Sequence, residues 1–191
     1  GLKGLRVSVW DAPSEACMKK LGANPIRLVS TDSYLALSKG LADAVLCPIS
    51  PVRSLKLSDI CRYHTMLNLF TSTFLQQVNS TIWESLPEDM HDWLLKQGGG
   101  KMALEVGIAL DKGAADDTAV LRTAGHVFHE LTPAEYDTLT LELDPFVEEW
   151  RHNVAKAYSS ALANEVLAYC RERSRLHQQE ARSGRYGGYG Q

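Results

Sequence analysis

The sequence lacks the short motifs that mark most catalytic and metal-binding sites. Its cysteines, Cys17, Cys47, Cys61 and Cys170, form no CxxC pair, which argues against a zinc ribbon or a redox dithiol. No GxGxxG or GxxxxGK loop follows a predicted strand, so no phosphate-binding loop is indicated. No nucleophile with an adjacent base stands out either. We therefore predict a protein that is not an enzyme and that uses neither a metal nor a cofactor.

The sequence also lacks a strong charge and a long apolar run. Among its 191 residues, 20 Lys and Arg stand against 23 Asp and Glu, which gives a formal net charge of -3 at pH 7. Such a chain has no positive field to attract a nucleic acid backbone. No apolar segment approaches the roughly 18 residues that span a bilayer. We predict no nucleic acid partner and no direct membrane insertion.

Strand and helix patterns alternate over the first seventy residues. The predicted elements are a strand at 6–10, a helix at 11–21, a strand at 25–29, a helix at 32–39 and a strand at 42–47. Gly22 and Gly40 close the two helices, and Pro48 ends the third strand. Two successive strand-helix-strand crossovers indicate a parallel sheet.

The remainder is predicted to be extended and then helical. The elements, in order, are extended runs at 63–70 and 73–78, a helix from 85 to about 110, a strand at 126–131 and helices at 133–143 and 145–173. Gly98, Gly99 and Gly100 interrupt the first of these helices, which predicts either a loop or a hinge. Thr132 and Glu135 have the spacing of a capping box.

Two histidines, His126 and His129, are the one pair with a spacing that could suit a metal. On a helix they would share a face, but on the predicted strand they fall on opposite faces. The strand pattern therefore predicts no metal site.

Several short motifs follow one another along the chain: Leu2-Lys3-Gly4-Leu5-Arg6-Val7, Leu21-Gly22-Ala23-Asn24-Pro25, Tyr34-Leu35-Ala36-Leu37 with Ala42-Asp43, and Ser85-Leu86-Pro87-Glu88-Asp89. In order and spacing they resemble the solute-binding proteins of TRAP transporters (tripartite ATP-independent periplasmic transporters). The resemblance runs from residue 2 to about residue 165.

The resemblance implies an α/β fold: a periplasmic-binding-protein-like second domain with a mostly parallel sheet, plus a crossing strand and a long helix that belong to a largely absent first domain. The implied organisation is residues 1–73 and 114–165 as the second, C-terminal domain, 74–113 as a strand and long-helix segment of the first domain, 166–181 as a terminal helix and 182–191 as a disordered tail.

The resemblance also implies a function. We expect a periplasmic protein that captures a small-molecule solute in an interdomain cleft and delivers it to the membrane permease subunits of a TRAP transporter. The alternative is a binding-protein fold that has lost ligand capture and acts as an interaction or scaffold module.

Ser8 occupies the position where this family usually has an arginine that pairs with the carboxylate of the ligand. A guanidinium supplies charge and a planar pair of donors, whereas a serine supplies one neutral hydrogen bond. Arg6 lies about two residues deeper along the same strand and is a poor substitute. We therefore expect that the solute is not a simple carboxylate.

Other expected site positions also differ from the family pattern. Trp10 replaces a common proline, Ser30 replaces an aromatic residue and Cys47 replaces an asparagine. Together with Ser8 and Tyr34 they form the predicted ligand site, which favours an uncharged, apolar or aromatic solute. The alternative for Trp10 is a place in the core beneath the cleft.

Overall fold

The computed structural model describes residues 2–70, 74, 75 and 77–182, and the side chains as far as residue 176. The chain divides into two compact units. Unit 1 consists of Gly1–Cys61 and Leu131–Gln191, and unit 2 consists of Arg62–Glu130. The chain thus leaves unit 1 once and returns to it once. The assignment of residues 74–113 to a first domain of the family stays a prediction, because these units are defined by packing within this chain.

The described residues contain five strands and eight α-helices. The strands are β1 (Arg6–Val9), β2 (Asn24–Arg27), β3 (Ala44–Val45), β4 (Tyr63–Met66) and β5 (Val127–Glu130). The helices are α1 (Ala12–Lys20), α2 (Ser33–Ser38), α3 (Ser50–Ser54), α4 (Ser80–Ser85), α5 (Glu88–Gln97), α6 (Gly99–Thr123), α7 (Pro133–Ala157) and α8 (Ser160–Arg182). None of the helices in this part of the chain combines the length and apolar character needed to cross a membrane.

Unit 1 is built on a parallel sheet with the strand order β2-β1-β3, which confirms the predicted α/β fold. Val7 and Val9 of the central strand are buried, together with Met18 of α1. The third strand is shorter than the predicted 42–47, although its flanks still bond to β1: Asp43 N–H donates to the Arg6 carbonyl at 2.8 Å.

Helix α1 begins and ends at residues that the sequence marks clearly. Asp11 precedes the helix, and its Oδ1 accepts a hydrogen bond from Ser14 N–H at 2.7 Å. Gly22, just beyond the end, has a φ of +81°, a conformation that costs glycine little and other residues more. The chain therefore turns sharply from α1 into β2.

Helix α7 confirms one prediction and contradicts another. Glu135 N–H donates to Thr132 Oγ1 at 3.3 Å, and Thr132 N–H donates to Glu135 Oε2 at 2.8 Å, so the capping box forms. The prediction that a new helix begins at Pro145 is wrong, because α7 continues through this residue. An internal proline costs about 3 kcal/mol, and packing of α7 against α1 and α8 offsets this cost.

The interruption lies instead between α7 and α8, at Tyr158 and Ser159. Tyr158 leaves the helical conformation with φ -131° and ψ -84°. Ser159 Oγ then accepts from Leu162 N–H at 3.1 Å, as an N-terminal capping serine does. Helix α8 runs without a break through the predicted terminal segment 166–181. Apart from Arg182, the predicted tail 182–191 lies outside the described residues.

In unit 2, strands β4 and β5 form a parallel pair in which His64 faces Phe128 in register. The predicted interruption at the glycines is confirmed: α5 ends before Gly98, and α6 begins at Gly99, whose φ is +66°. Helix α4 was not predicted, and Asn79 begins it by accepting backbone N–H groups. Part of the predicted run 73–78 lies outside the described residues.

Candidate functional site

The carboxyl-end edge of the three-stranded sheet carries three of the five residues predicted for a ligand site. Trp10 directly follows β1, Ser30 comes shortly after β2 and Cys47 comes shortly after β3. In open parallel sheets, ligands bind outside this edge where the strand order reverses. The order β2-β1-β3 places the reversal between β1 and β3, and hence between Trp10 and Cys47.

A cluster of three polar side chains, Ser8, Trp10 and Ser33, joins β1 to the start of α2. Trp10 Nε1 donates to Ser33 Oγ at 2.8 Å, and the hydroxyl oxygens of Ser33 and Ser8 are 3.2 Å apart. Ser8 and Ser33 are both 0% exposed, whereas Trp10 is half-buried. The structure thus brings Ser8 and Trp10 together, but it gives the Ser8 hydroxyl a protein partner and leaves it no surface.

Ser33 is the member of this cluster that the sequence analysis missed. A serine near the start of a helix is usually interpreted as a capping residue, and the predicted helix began at Asp32. A 3-10 turn (Ser30–Asp32) precedes α2, so that Ser33 is its first residue. The signal that could have found it is Trp10, because a buried indole N–H needs an acceptor.

Ser30 and Tyr34 lie on either side of Ser33 in the chain. Ser30 is half-buried, and Tyr34 keeps 38% of its surface exposed. A tyrosine with open surface presents an apolar ring and a hydroxyl that can donate or accept. Tyr34 is therefore available for contact with a small molecule.

Cys47 provides an uncharged surface at the other side of the reversal. Burial raises the pKa of its thiol to about 12, and the neighbouring Cys61 adds to this effect. Burial also raises the pKa of Cys61. Both thiols therefore stay protonated at neutral pH, and Cys47 acts as a small apolar group rather than a nucleophile.

Arg6 is occupied by a carboxylate of its own unit. Its Nε donates to Asp43 Oδ2 at 3.0 Å and its Nη2 donates to Asp43 Oδ1 at 2.5 Å. Hydrogen bonds from the Arg6 side chain and backbone hold the pKa of Asp43 at about 2, below its ordinary 3.8. The Arg6 side chain is therefore engaged within its own unit, and the expectation that it does not bind the solute stays a prediction.

The two histidines considered as metal ligands differ in their surroundings. His126 is buried and contacts His64, whereas His129 lies exposed in β5. Across the part of the chain that the structure describes, no three His, Cys, Asp or Glu side chains gather closely enough to hold a metal ion.

Comparisons with known proteins agree with the fold. Residues 1–153 match the family model DctP, bacterial extracellular solute-binding protein, family 7. The chain is 27% identical over 152 residues to the C4-dicarboxylate-binding periplasmic protein DctP of Rhodobacter capsulatus. The aligned region covers 79% of this chain and 46% of that protein.

Solved structures give the same result. A TRAP solute-binding protein from Rhodoferax ferrireducens T118 with copurified benzoate matches with a TM-score of 0.85 and 20% identity, covering 94% of this chain and 57% of that one. A TRAP periplasmic solute-binding protein from Bordetella bronchiseptica with bound mandelate matches with a TM-score of 0.70 and 24% identity, covering 85% of this chain and 52% of that one. These likenesses show the fold.

The chain spans about half the length of the relatives it matches. Within that span, the family model and the solved folds confirm the resemblance to TRAP solute-binding proteins. The chain belongs to the bacterial extracellular solute-binding proteins of family 7.

Proposed function

We propose that this chain serves in the periplasm as part of the solute-binding subunit of a TRAP-type transporter. It captures a small solute at the carboxyl-end edge of the unit 1 sheet and passes it to membrane permease subunits, without catalysing a reaction. The observation that carries the proposal is the placement of Trp10, Ser30 and Cys47 after three neighbouring parallel strands. This is the edge at which sheets of this kind bind ligands.

The solute that best fits this edge is uncharged and aromatic. The four proposed contacts that keep accessible surface, Trp10, Ser30, Tyr34 and Cys47, carry no positive charge at neutral pH, and the fully buried Ser8 adds none. Two of them are aromatic, and aromatic rings stack well on flat apolar solutes. A carboxylate would lose its water shell without gaining the charged donor that normally compensates for it.

The groups that flank β1 further disfavour an anion. Arg6 already pairs with Asp43. The first turn of α1, where backbone N–H groups would attract an anion, is capped by the carboxylate of Asp11. A solute carboxylate placed there would meet a like charge.

The ligands of the relatives support an aromatic solute but differ from an uncharged one. Benzoate and mandelate, bound by the two solved relatives, both contain an aromatic ring. Both are also carboxylates, and the curated relative is named for C4-dicarboxylates. The carboxylate is therefore the group that distinguishes our proposal from simple transfer of a relative's ligand.

Calorimetric titration of the full-length protein with benzamide, benzoate and succinate tests this solute class. Benzamide and benzoate share a ring and differ in charge, and we expect at least tenfold tighter binding of benzamide, or about 1.4 kcal/mol. Succinate should give no binding heat. Benzoate or succinate binding as tightly as benzamide would refute the solute class.

A pair of tryptophan variants tests the location of the site. Trp10→Ala should weaken benzamide binding about tenfold, as loss of an aromatic anchor commonly does. Trp150→Ala, in α7 of the same unit, serves as the matched control and should bind benzamide as the original protein does. Equal affinities of the two variants would place the solute elsewhere.

The second candidate function is an interaction or scaffold module without solute capture. It is favoured by the Ser8, Trp10 and Ser33 cluster, whose polar atoms already bond to one another. Small-angle scattering with and without benzamide separates the two functions. A solute-binding protein becomes more compact when saturated, whereas a scaffold keeps the same radius of gyration with all three solutes.

A further inference from the structure

Two histidines of unit 2 contact each other where the chain passes between the units. Unit 2 begins at Arg62 and ends at Glu130, and the paired strands β4 and β5 lie at these two ends. The β4–β5 ladder therefore pairs the segment at which the chain enters unit 2 with the segment at which it leaves. His64 belongs to β4, and His126 immediately precedes β5.

The two imidazole rings share one hydrogen bond. Nε2 of His64 lies 2.9 Å from Nδ1 of His126, and the ring planes differ by 11°. Such a bond needs a proton on one nitrogen and a lone pair on the other. His64 also contacts the ring of Phe128, its partner in register, at a centroid distance of 4.7 Å. The histidine pair thus adds side-chain contacts to the backbone ladder.

Backbone hydrogen bonds hold the main chain of His126 next to β4. His126 is 8% exposed, and its N–H donates to the carbonyl of Leu121 at 3.0 Å, which closes the end of α6. Gly125, with a φ of +83°, makes the turn between them. Val127 N–H then donates to the carbonyl of Arg62 at 2.9 Å. The main chain of His126 is therefore held on both sides, between the end of α6 and the start of β5.

The charged groups around the pair do not neutralise added protons. Arg122 of α6 lies over the Phe128 ring at 4.6 Å and pairs with Glu130 of β5 at 3.1 Å. Arg62, just before β4, donates to the carbonyl of Ala124 at 3.4 Å. Two arginines and one carboxylate that is already paired therefore face this side of the ladder.

The remaining titratable group of β5, His129, follows Phe128 and so points to the opposite face of the strand. Burial, and secondly the nearby His126, lowers the pKa of His64 below its ordinary 6.5. The folded protein thus favours the neutral form of His64 more than the unfolded chain does.

We propose that the His64–His126 pair is a pH-sensitive latch on the two strands through which the chain crosses between its units. At neutral pH the shared hydrogen bond holds β4 against β5. When both rings are protonated, both facing nitrogens carry a hydrogen, the bond is lost and two positive charges repel one another. The role is independent of the solute that unit 1 binds.

The direction of the pH dependence follows from His64. Because its pKa is lower in the folded state, the stability that the pair contributes is complete above the unfolded pKa of about 6.5. It is lost as the pH falls through the folded pKa. The latch therefore opens in mild acid.

Hydrogen exchange of the full-length protein at pH 7.5 and pH 5.5, corrected for the intrinsic exchange rate, tests the latch. We expect the amides of 62–66 and 127–130 to lose severalfold in protection at the lower pH, because His64 then takes up a proton that the folded strands disfavour. His64→Gln offers an amide that keeps a hydrogen bond but does not titrate, so its loss should stay within twofold. His152→Gln, in α7, is the matched control and should behave as the original protein.

Equal acid sensitivity of the original protein and His64→Gln would overturn the proposal, and so would full protection of both at pH 5.5. A second measurement covers the case in which His64→Gln does not fold. NMR titration of the imidazole nitrogens in the original protein should show that His64 takes up its proton below pH 6.5. Protonation of His64 at or above its ordinary pKa of about 6.5 would refute the latch.

Discussion

Replacing Ser33 by alanine should destabilise unit 1 strongly for so small a change, because one hydroxyl serves two neighbours. Ser33 Oγ accepts from Trp10 Nε1 at 2.8 Å and lies 3.2 Å from Ser8 Oγ. A hydrogen bond contributes about 1 kcal/mol net, and a buried polar group without a partner costs about 1–3 kcal/mol. Ser8 is inaccessible to water, whereas the half-buried Trp10 regains part of its loss from solvent. We expect Ser33→Ala to lower the free energy of unfolding by about 2 kcal/mol.

Two matched serine variants separate this effect from the loss of any hydroxyl. Ser8→Ala removes a hydroxyl of equal burial but preserves the bond between Ser33 and Trp10, so a loss of about 0.5–1 kcal/mol is expected. Ser38→Ala removes an exposed hydroxyl that bonds to the carbonyl of Leu35 in its own helix. Its effect should stay within about 0.5 kcal/mol.

Urea unfolding followed by tryptophan fluorescence and circular dichroism measures these differences. Unchanged m-values would show that the variants unfold as the original protein does. The double variant Ser8→Ala/Ser33→Ala should cost about 0.5–1 kcal/mol less than the sum of the single variants, because it leaves no unpaired Ser8 hydroxyl. If Ser33→Ala is no more destabilising than Ser38→Ala, Ser33 does not hold the cluster together.

Gly98, between α5 and α6, and Gly100, in the first turn of α6, should respond in opposite directions to alanine. A Cβ at Gly98 would lie 2.8 Å from the carbonyl oxygen of Leu94, so Gly98→Ala should lower the free energy of unfolding by about 1–3 kcal/mol. A Cβ at Gly100 meets nothing within 4 Å, so Gly100→Ala should raise the free energy of unfolding by about 0.5–1 kcal/mol. Thermal unfolding midpoints give the signs, and the reverse order would contradict the close contact. Asp43, whose pKa is about 2 rather than 3.8, contributes stability that is present above the unfolded pKa and lost as the pH falls through the folded one. Between about pH 4 and pH 2 the urea midpoint of the original protein should therefore fall more steeply than that of Asp43→Asn, and parallel curves would argue against the ion pair.

Features that depend on a few neighbouring residues could be predicted from the sequence. Asp11 and Thr132 each precede an apolar helical pattern, and both cap a helix in the structure. Gly98 and Gly99 interrupt a helix, because glycine lowers helix stability and permits a positive φ. The parallel sheet followed from the same local alternation of elements.

Features that depend on distant parts of the chain could not be predicted in this way. Pro145 marks a helix end locally, but packing against α1 and α8 keeps α7 continuous. The inward orientation of Ser33 requires β1 beside α2. His64 and His126, 62 positions apart in the sequence, meet only when β4 and β5 pair. The candidate site could therefore be placed at a sheet edge, while its bonding pattern needed the three-dimensional structure.

The interrupted course of unit 1 along the chain sets an order for the folding of the two units. Unit 2 is one continuous segment, so its helices and its strand pair can form early. Unit 1 forms later, because α1 packs against α7 and Lys20 pairs with Glu149, which is far from it in the sequence. Closing such long-range contacts is slow. Until α7 is in place, the surface of α1 that it later covers stays open to solvent.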